Sequence, residues 1–101
     1  MLLMIAAVPL ETNQLRCQLQ DSREQRLGSY RIFSGTIHTQ KLLLAHCGVG
    51  QNAMAIQLTR LLQQFQPQAV LLCGCAGSYP HSGLTNGDIA IASEEVCGDL
   101  G

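Results

Sequence analysis

Three unbroken apolar runs set the frame of the chain: Met1–Ala7, the Leu42–Ala45 centre of Lys41–His46, and Ala69–Cys73. Each has the length of a strand, and the absence of alternation is the mark of a strand covered on both faces. Tyr30–Ile37 alternates loosely and reads as a further strand, with His38-Thr39-Gln40 turning the chain behind it. Asp21–Gly28 is mostly polar and reads as a turn. A different period governs Met54, Leu58, Leu61, Leu62 and Phe65, whose spacing predicts an amphipathic helix from Asn52 to Gln66, ended by Pro67. A shorter helix opens at Pro9, a residue suited to a first helical turn, and carries Leu15 and Leu19 at i, i+4 through Gln20. After the Asn86-Gly87 turn signal, Asp88–Ser93 reads as a last strand.

The order β-α-β-β-α-β-β predicts an α/β fold: a mixed, largely parallel central sheet with flanking helices. In such sheets ligands gather outside the carboxyl ends of the strands. Three predicted strands end suggestively, at Ala7-Val8-Pro9-Leu10-Glu11, at Cys47-Gly48-Val49-Gly50 and at Gly74-Cys75-Ala76-Gly77. If the three are parallel, one carboxylate and two glycine turns line a common crevice.

Composition narrows the partners. The chain has 101 residues, the size of one small domain, with 47% hydrophobic and 13% charged residues and a net charge of −1. Such a balance carries no electrostatic footprint for nucleic acid or for an anionic membrane surface. Tyr30, Tyr79, Phe33 and Phe65 are the only aromatics, too few for a base-stacking platform. The apolar N-terminus lacks a basic leader region and is too short to span a bilayer. Five cysteines, an odd number without a secretory signal, predict reduced thiols and a cytoplasmic protein.

Single residues say less. A glutamate such as Glu11 in a first helical turn is stabilised by the helix dipole and is often only that. Gly48-Val49-Gly50-Gln51-Asn52-Ala53 loosely fits a G-x-G-x-x-A dinucleotide loop. It follows a middle strand, however, and no acidic residue stands about twenty positions on. Close strand–helix packing explains the glycines as well. Cys73 and Cys75, with His46, Cys47 and His81, invite a zinc site, but C-x-C is not the usual structural-zinc spacing, and buried thiols acting as small hydrophobes fit better. No metal and no cofactor is therefore expected. Glu94-Glu95 reads as a solvated loop face.

Taken together, Ala6–Glu11, Gly48–Ala53, Gly74–Gly77 and the strand-opening Gly87-Asp88-Ile89-Ala90-Ile91-Ala92 resemble the nucleoside phosphorylase and nucleosidase family in order and context. The wording GCAGSYPHSGL and GDIAIASEEVCGDLG is most similar to the futalosine hydrolase branch, with the methylthioadenosine/S-adenosylhomocysteine nucleosidases as near relatives. The resemblance implies a phosphorylase/hydrolase-like fold and hydrolysis of a purine nucleoside. In the futalosine branch that means release of hypoxanthine in menaquinone biosynthesis. The alternatives are methylthioadenosine/S-adenosylhomocysteine cleavage, phosphorolysis, or an inactive binding fragment. It assigns Glu11 as the catalytic carboxylate that deprotonates water. Ala7, Val8 and Val49 become the nucleoside-facing wall, and Cys75, Ala76 and Gly77 the backbone lying along purine and ribose. Cys75 stands where related nucleosidases carry serine, and a thiol is the poorer hydrogen-bond donor.

The resemblance also implies that residues 1–101 form an N-terminal half, since the second ribose-binding carboxylate and the leaving-group acid come from a later segment. Strands this apolar need cover on both faces, so the chain is expected to self-associate as a homo-oligomer and to be inactive alone.

Overall fold

A computed structural model of the protein describes residues 1–100. Five strands form one sheet: β1 (Leu2–Ala6), β2 (Gln20–Leu27), β3 (Tyr30–Ile37), β4 (Gln40–His46) and β5 (Ala69–Leu72), in the spatial order β2-β3-β4-β1-β5. β1 pairs in parallel with both β4 and β5. The β2–β3 and β3–β4 pairings are antiparallel hairpins. The mixed α/β class stands, but the sheet is not largely parallel: its two parallel pairings are confined to β4-β1-β5, the three strands whose ends carry the candidate site, and the hairpins make the other two antiparallel.

Residue parity explains why the central strands are unbroken apolar runs. Leu3 and Ile5 of β1 and Leu43 and Ala45 of β4 point to one face, where they pack with Ile32, Cys47 and Leu61. Helix α1 (Gln51–Phe65) brings Leu61 there, with Met54, Leu58 and Phe65 half-buried beside it. The other parity, Leu2, Met4, Leu42 and Leu44, meets Phe33, Leu19 and Leu15 on the opposite face. Among the described residues the one helix over that second face is the six-residue α2′ (Asn13–Gln18), and an apolar cleft of about 320 Å³ stays open between Leu2, Met4, Leu15, Ile37 and Leu42.

Three further expectations need correction. Asp21–Leu27 is not a turn but most of β2, exposed except at the half-buried Leu27 and held mainly by its ladder to β3. Its hydrogen bonds need no apolar face, and its charged side chains suit an edge strand. The helix expected from Pro9 to Gln20 divides into a 3-10 turn, Pro9–Thr12, and α2′, with Leu19 already extended. Asp88–Ser93 forms no strand. Its alternating Ile89 and Ile91 are 86% and 90% exposed, and no described strand lies beside them to supply a ladder.

β5 is the other edge, and its apolar residues are uncovered: Val70, Leu71 and Leu72 are 40%, 48% and 64% exposed. An uncharged, apolar edge strand is a template for association. Sedimentation velocity is expected to show species heavier than a single chain that lighten with Leu71→Lys; a monomer at every concentration would refute this. Within the core, Leu44→Ala should lower stability by about 2–5 kcal/mol, as deletions of buried leucine do, because Leu44 is fully buried. Leu62→Ala, on the outer side of α1, should lower it far less, and urea midpoints compare the two.

Candidate functional site

The parallel register brings the three strand ends to one edge. Ala6 of β1 sits opposite His46 of β4, and the ladder continues one step beyond the strands, where the Cys47 and Gly48 amides donate to the Ala6 and Ala7 carbonyls at 2.9 and 3.0 Å. On the other side the Cys73 amide donates to the Ile5 carbonyl at 2.9 Å. The sites foreseen on three separate stretches therefore share one rim.

Glu11 lies at its centre. Val8 is extended and opens the 3-10 turn, and Glu11 is its third residue, so its side chain reaches back over the end of β1. The Ala7 and Val8 amides donate to Glu11 Oε2 at 3.0 and 3.2 Å, and the Cys75 amide donates to Oε1 at 3.2 Å. One carboxylate thus ties the end of β1 to the segment after β5. The amide of Val8 first, then that of Cys75, hold the carboxyl below the usual glutamate range; Ala7 and the nearby His46 add to this, against a smaller opposing effect of desolvation. An ionised carboxylate offers about four acceptor positions. Three are taken by amides, and one on Oε1 stays open.

The bare segment after β5 follows from this bridge. A Cβ on Gly74 would stand 3.0 Å from Glu11 Oε1, so a side chain there would displace the carboxylate. Gly74 is a residue of this rim that the site assignment left out; its signal was the side-chain-poor stretch itself. Ala7 and Val8 are half-buried beside Glu11, while Cys75, Ala76 and Gly77 are exposed along the rim. Val49, 78% exposed, follows β4 at the same edge.

Gly48 and Gly50 both have positive φ, 84° and 99°, and a Cβ on Gly48 would touch Ala53 at 3.4 Å. The positive φ at both positions accounts for the glycines without a dinucleotide. His46, Cys47, Cys73, Cys75 and His81 do not gather into a ligand set among the described residues. Burial pushes the Cys47 and Cys73 thiols up, Cys73 further through the Glu11 and Cys75 charges. No described helix is long and apolar enough to cross a membrane.

With this geometry in place, comparison with known proteins identifies the class. The phosphorylase superfamily matches residues 2–100, and the chain belongs to that family. A curated relative, the 5'-methylthioadenosine/S-adenosylhomocysteine nucleosidase of Actinobacillus succinogenes, is 35% identical over 95 residues, 94% of this chain and 41% of the relative. The S-adenosylhomocysteine nucleosidase of Streptococcus pyogenes, solved with 5-methylthiotubericidin, superposes with a TM-score of 0.73 at 30% identity over 79% of this chain and 34% of that one. The nucleosidase of Colwellia psychrerythraea, solved with adenine, gives a TM-score of 0.75 at 25% identity over 80% and 34%. The chain spans about two-fifths of the length of the curated relatives it matches.

The bridge makes stability depend on pH with a definite sign. Because folding lowers the Glu11 pKa, the ionised form stabilises the fold above the unfolded-chain value, and that contribution is lost as pH falls through the lowered folded value. The stability gap between wild type and Glu11→Gln should hold from neutral pH down to the ordinary value of 4.5 and shrink below it. Urea titrations across that range test this; a gap independent of pH would show that the amides do not favour the charged form.

Proposed function

We propose that this chain supplies the water-activating half of a purine nucleosidase site, with residues 1–101 as the N-terminal half of the catalytic domain and Glu11 as its general base. The supporting observation is the carboxylate itself: ionised, fixed by three amides at the rim of parallel strands, and left with one acceptor position for a water. Ala7, Val8 and Val49 form the apolar wall toward the nucleoside, and the exposed Cys75-Ala76-Gly77 backbone lies along base and ribose.

In the reaction the bond from C1′ to the base nitrogen breaks, its electron pair leaves with the base, and the sugar takes on oxocarbenium character. The water oxygen bonds to C1′ while its proton passes to Glu11. The departing base needs a proton of its own, and one carboxylate cannot both accept the water proton and protonate the base. A second donor is required, and the remaining part of a family-length domain is where it belongs.

An adenine-bearing nucleoside, 5'-methylthioadenosine or S-adenosylhomocysteine, is the substrate class that the relatives favour. A second reading, futalosine with release of hypoxanthine, is favoured by Gly74–Pro80 and by Glu94-Glu95 followed by Gly98–Gly101. The gene product expressed from its own locus, incubated with each nucleoside with and without phosphate, separates the readings. Adenine release without phosphate supports the first, hypoxanthine release from futalosine the second, and a phosphate requirement makes the protein a phosphorylase. The 101-residue chain purified alone is expected to release no base. Joined to the remainder of the A. succinogenes relative, it should regain hydrolysis, and Glu11→Gln should then cut kcat by about 10²–10⁴-fold. A loss of only a few-fold would leave Glu11 as a structural tie.

A further inference from the structure

Thr12 occupies the N-cap position of α2′, where a threonine hydroxyl ordinarily accepts an amide of the first helical turn. Here it caps nothing. Thr12 is 3% exposed, and its Oγ1 turns away from the helix to sit 2.7 Å from Nε2 of His46, the last residue of β4. The Pro9 carbonyl, at 3.5 Å, is a far weaker alternative for the hydroxyl proton. The residue beside Glu11 has therefore given up a helix cap for a bond to a neighbouring strand.

The position of that strand gives the bond its consequence. His46 lies in register with Ala6, directly before the Ala7 and Val8 amides that hold Glu11. Among the described residues, the other side-chain hydrogen bonds from the 3-10 turn to the strand ends are those of Glu11, and the Thr12 bond adds a second point of attachment. His46 is in turn held in place: the Phe33 ring stands edge-on at 6.3 Å and 67°, and the Arg16 guanidinium lies 5.1 Å over the same ring. The charged groups acting on His46 are Arg16 and Glu11. Burial, and then Arg16, keep the imidazole below its ordinary range, against the opposing pull of Glu11. It is thus neutral at pH 7, with one ring nitrogen a donor and the other an acceptor, and the Thr12 hydroxyl, which can do either, pairs with Nε2 in both tautomers.

We propose that the Thr12–His46 hydrogen bond is a positioning device for the candidate base, fixing the 3-10 turn on the end of β4 so that the Glu11 carboxylate stays on its three amides with its free acceptor position facing the rim. The proposal deepens the nucleosidase reading and rests on it for its consequence in catalysis. Its structural content can be measured without a nucleoside.

The test is carbon-detected NMR of the labelled 101-residue chain, dilute enough to limit association. There are four glutamates, and Glu11→Gln assigns the Glu11 carboxyl signal by its loss. Thr12→Val removes the hydroxyl with no change in charge. It should raise the Glu11 titration midpoint toward the ordinary value and speed hydrogen exchange at the Ala7 and Val8 amides. Thr12→Ser, which keeps the hydroxyl, should restore both to wild type, and His46→Leu should reproduce Thr12→Val from the other side of the bond. Unchanged Glu11 titration and amide exchange in folded Thr12→Val and His46→Leu chains would overturn the proposal. So would global unfolding of Thr12→Val and His46→Leu with Thr12→Ser intact, since the bond would then support the whole sheet rather than this turn. Failure of Glu11 as the base would show separately, in the kinetics of Glu11→Gln, and would leave these spectra unchanged.

Discussion

The candidate site depends on one carboxylate accepting three backbone amides. The amide donors of Ala7 and Val8 stand at the end of β1, where the chain leaves the ladder, and that of Cys75 lies beyond the end of β5. Each would otherwise need water or a partner in a crowded place. Glu11 satisfies all three at once, and so fixes where the segment after β5 runs. The requirement for glycine at position 74, the exposed backbone of Cys75–Gly77 and the facing of the open acceptor position all follow from that placement.

The legible parts of the sequence were those in which burial writes a pattern. β3 was bounded as found, and β1, β4, β5 and the long helix came within a residue at each end, because their side chains answer to a core on one face or both. β2 has no such imprint: its eight residues are exposed or half-buried, and its stability lies in ladder bonds that polar side chains form as well as apolar ones. A local signal did exist, since Leu27-Gly28-Ser29-Tyr30 places two turn-forming residues between two strand ends. Asp88–Ser93 shows the converse. Its alternation is that of a strand, yet period alone forms no sheet without a neighbour to pair with.

The site was legible to a similar depth. Parallel topology placed Glu11, the Gly48 turn and the Gly74 turn on one edge from connectivity alone. Which residues touch was a matter of register, and register does not appear in a single sequence. Thr12 carries no signal of its own in the sequence, and only the pairing of Ala6 with His46 brings an imidazole within 2.7 Å of its hydroxyl. The sequence singles out His46 as a metal-ligand candidate, whereas the structure gives it a hydrogen-bond partner in Thr12.

The amides that fix Glu11 also weaken it as a base, since favouring the charged form lowers its affinity for a proton. A base tuned only for strength would sit in an apolar pocket with a raised pKa. The arrangement suits a different demand. Along an oxocarbenium-like path the water becomes acidic only as its oxygen bonds to C1′, so a carboxylate of modest basicity can take the proton late. Before that moment, in the proposed reaction, its negative charge would be of more use than its basicity, because it would face a sugar acquiring positive charge. Full ionisation at neutral pH and a fixed direction for the one free acceptor position serve that purpose. In the proposed role, the cost in proton affinity is the consequence of holding the charge still.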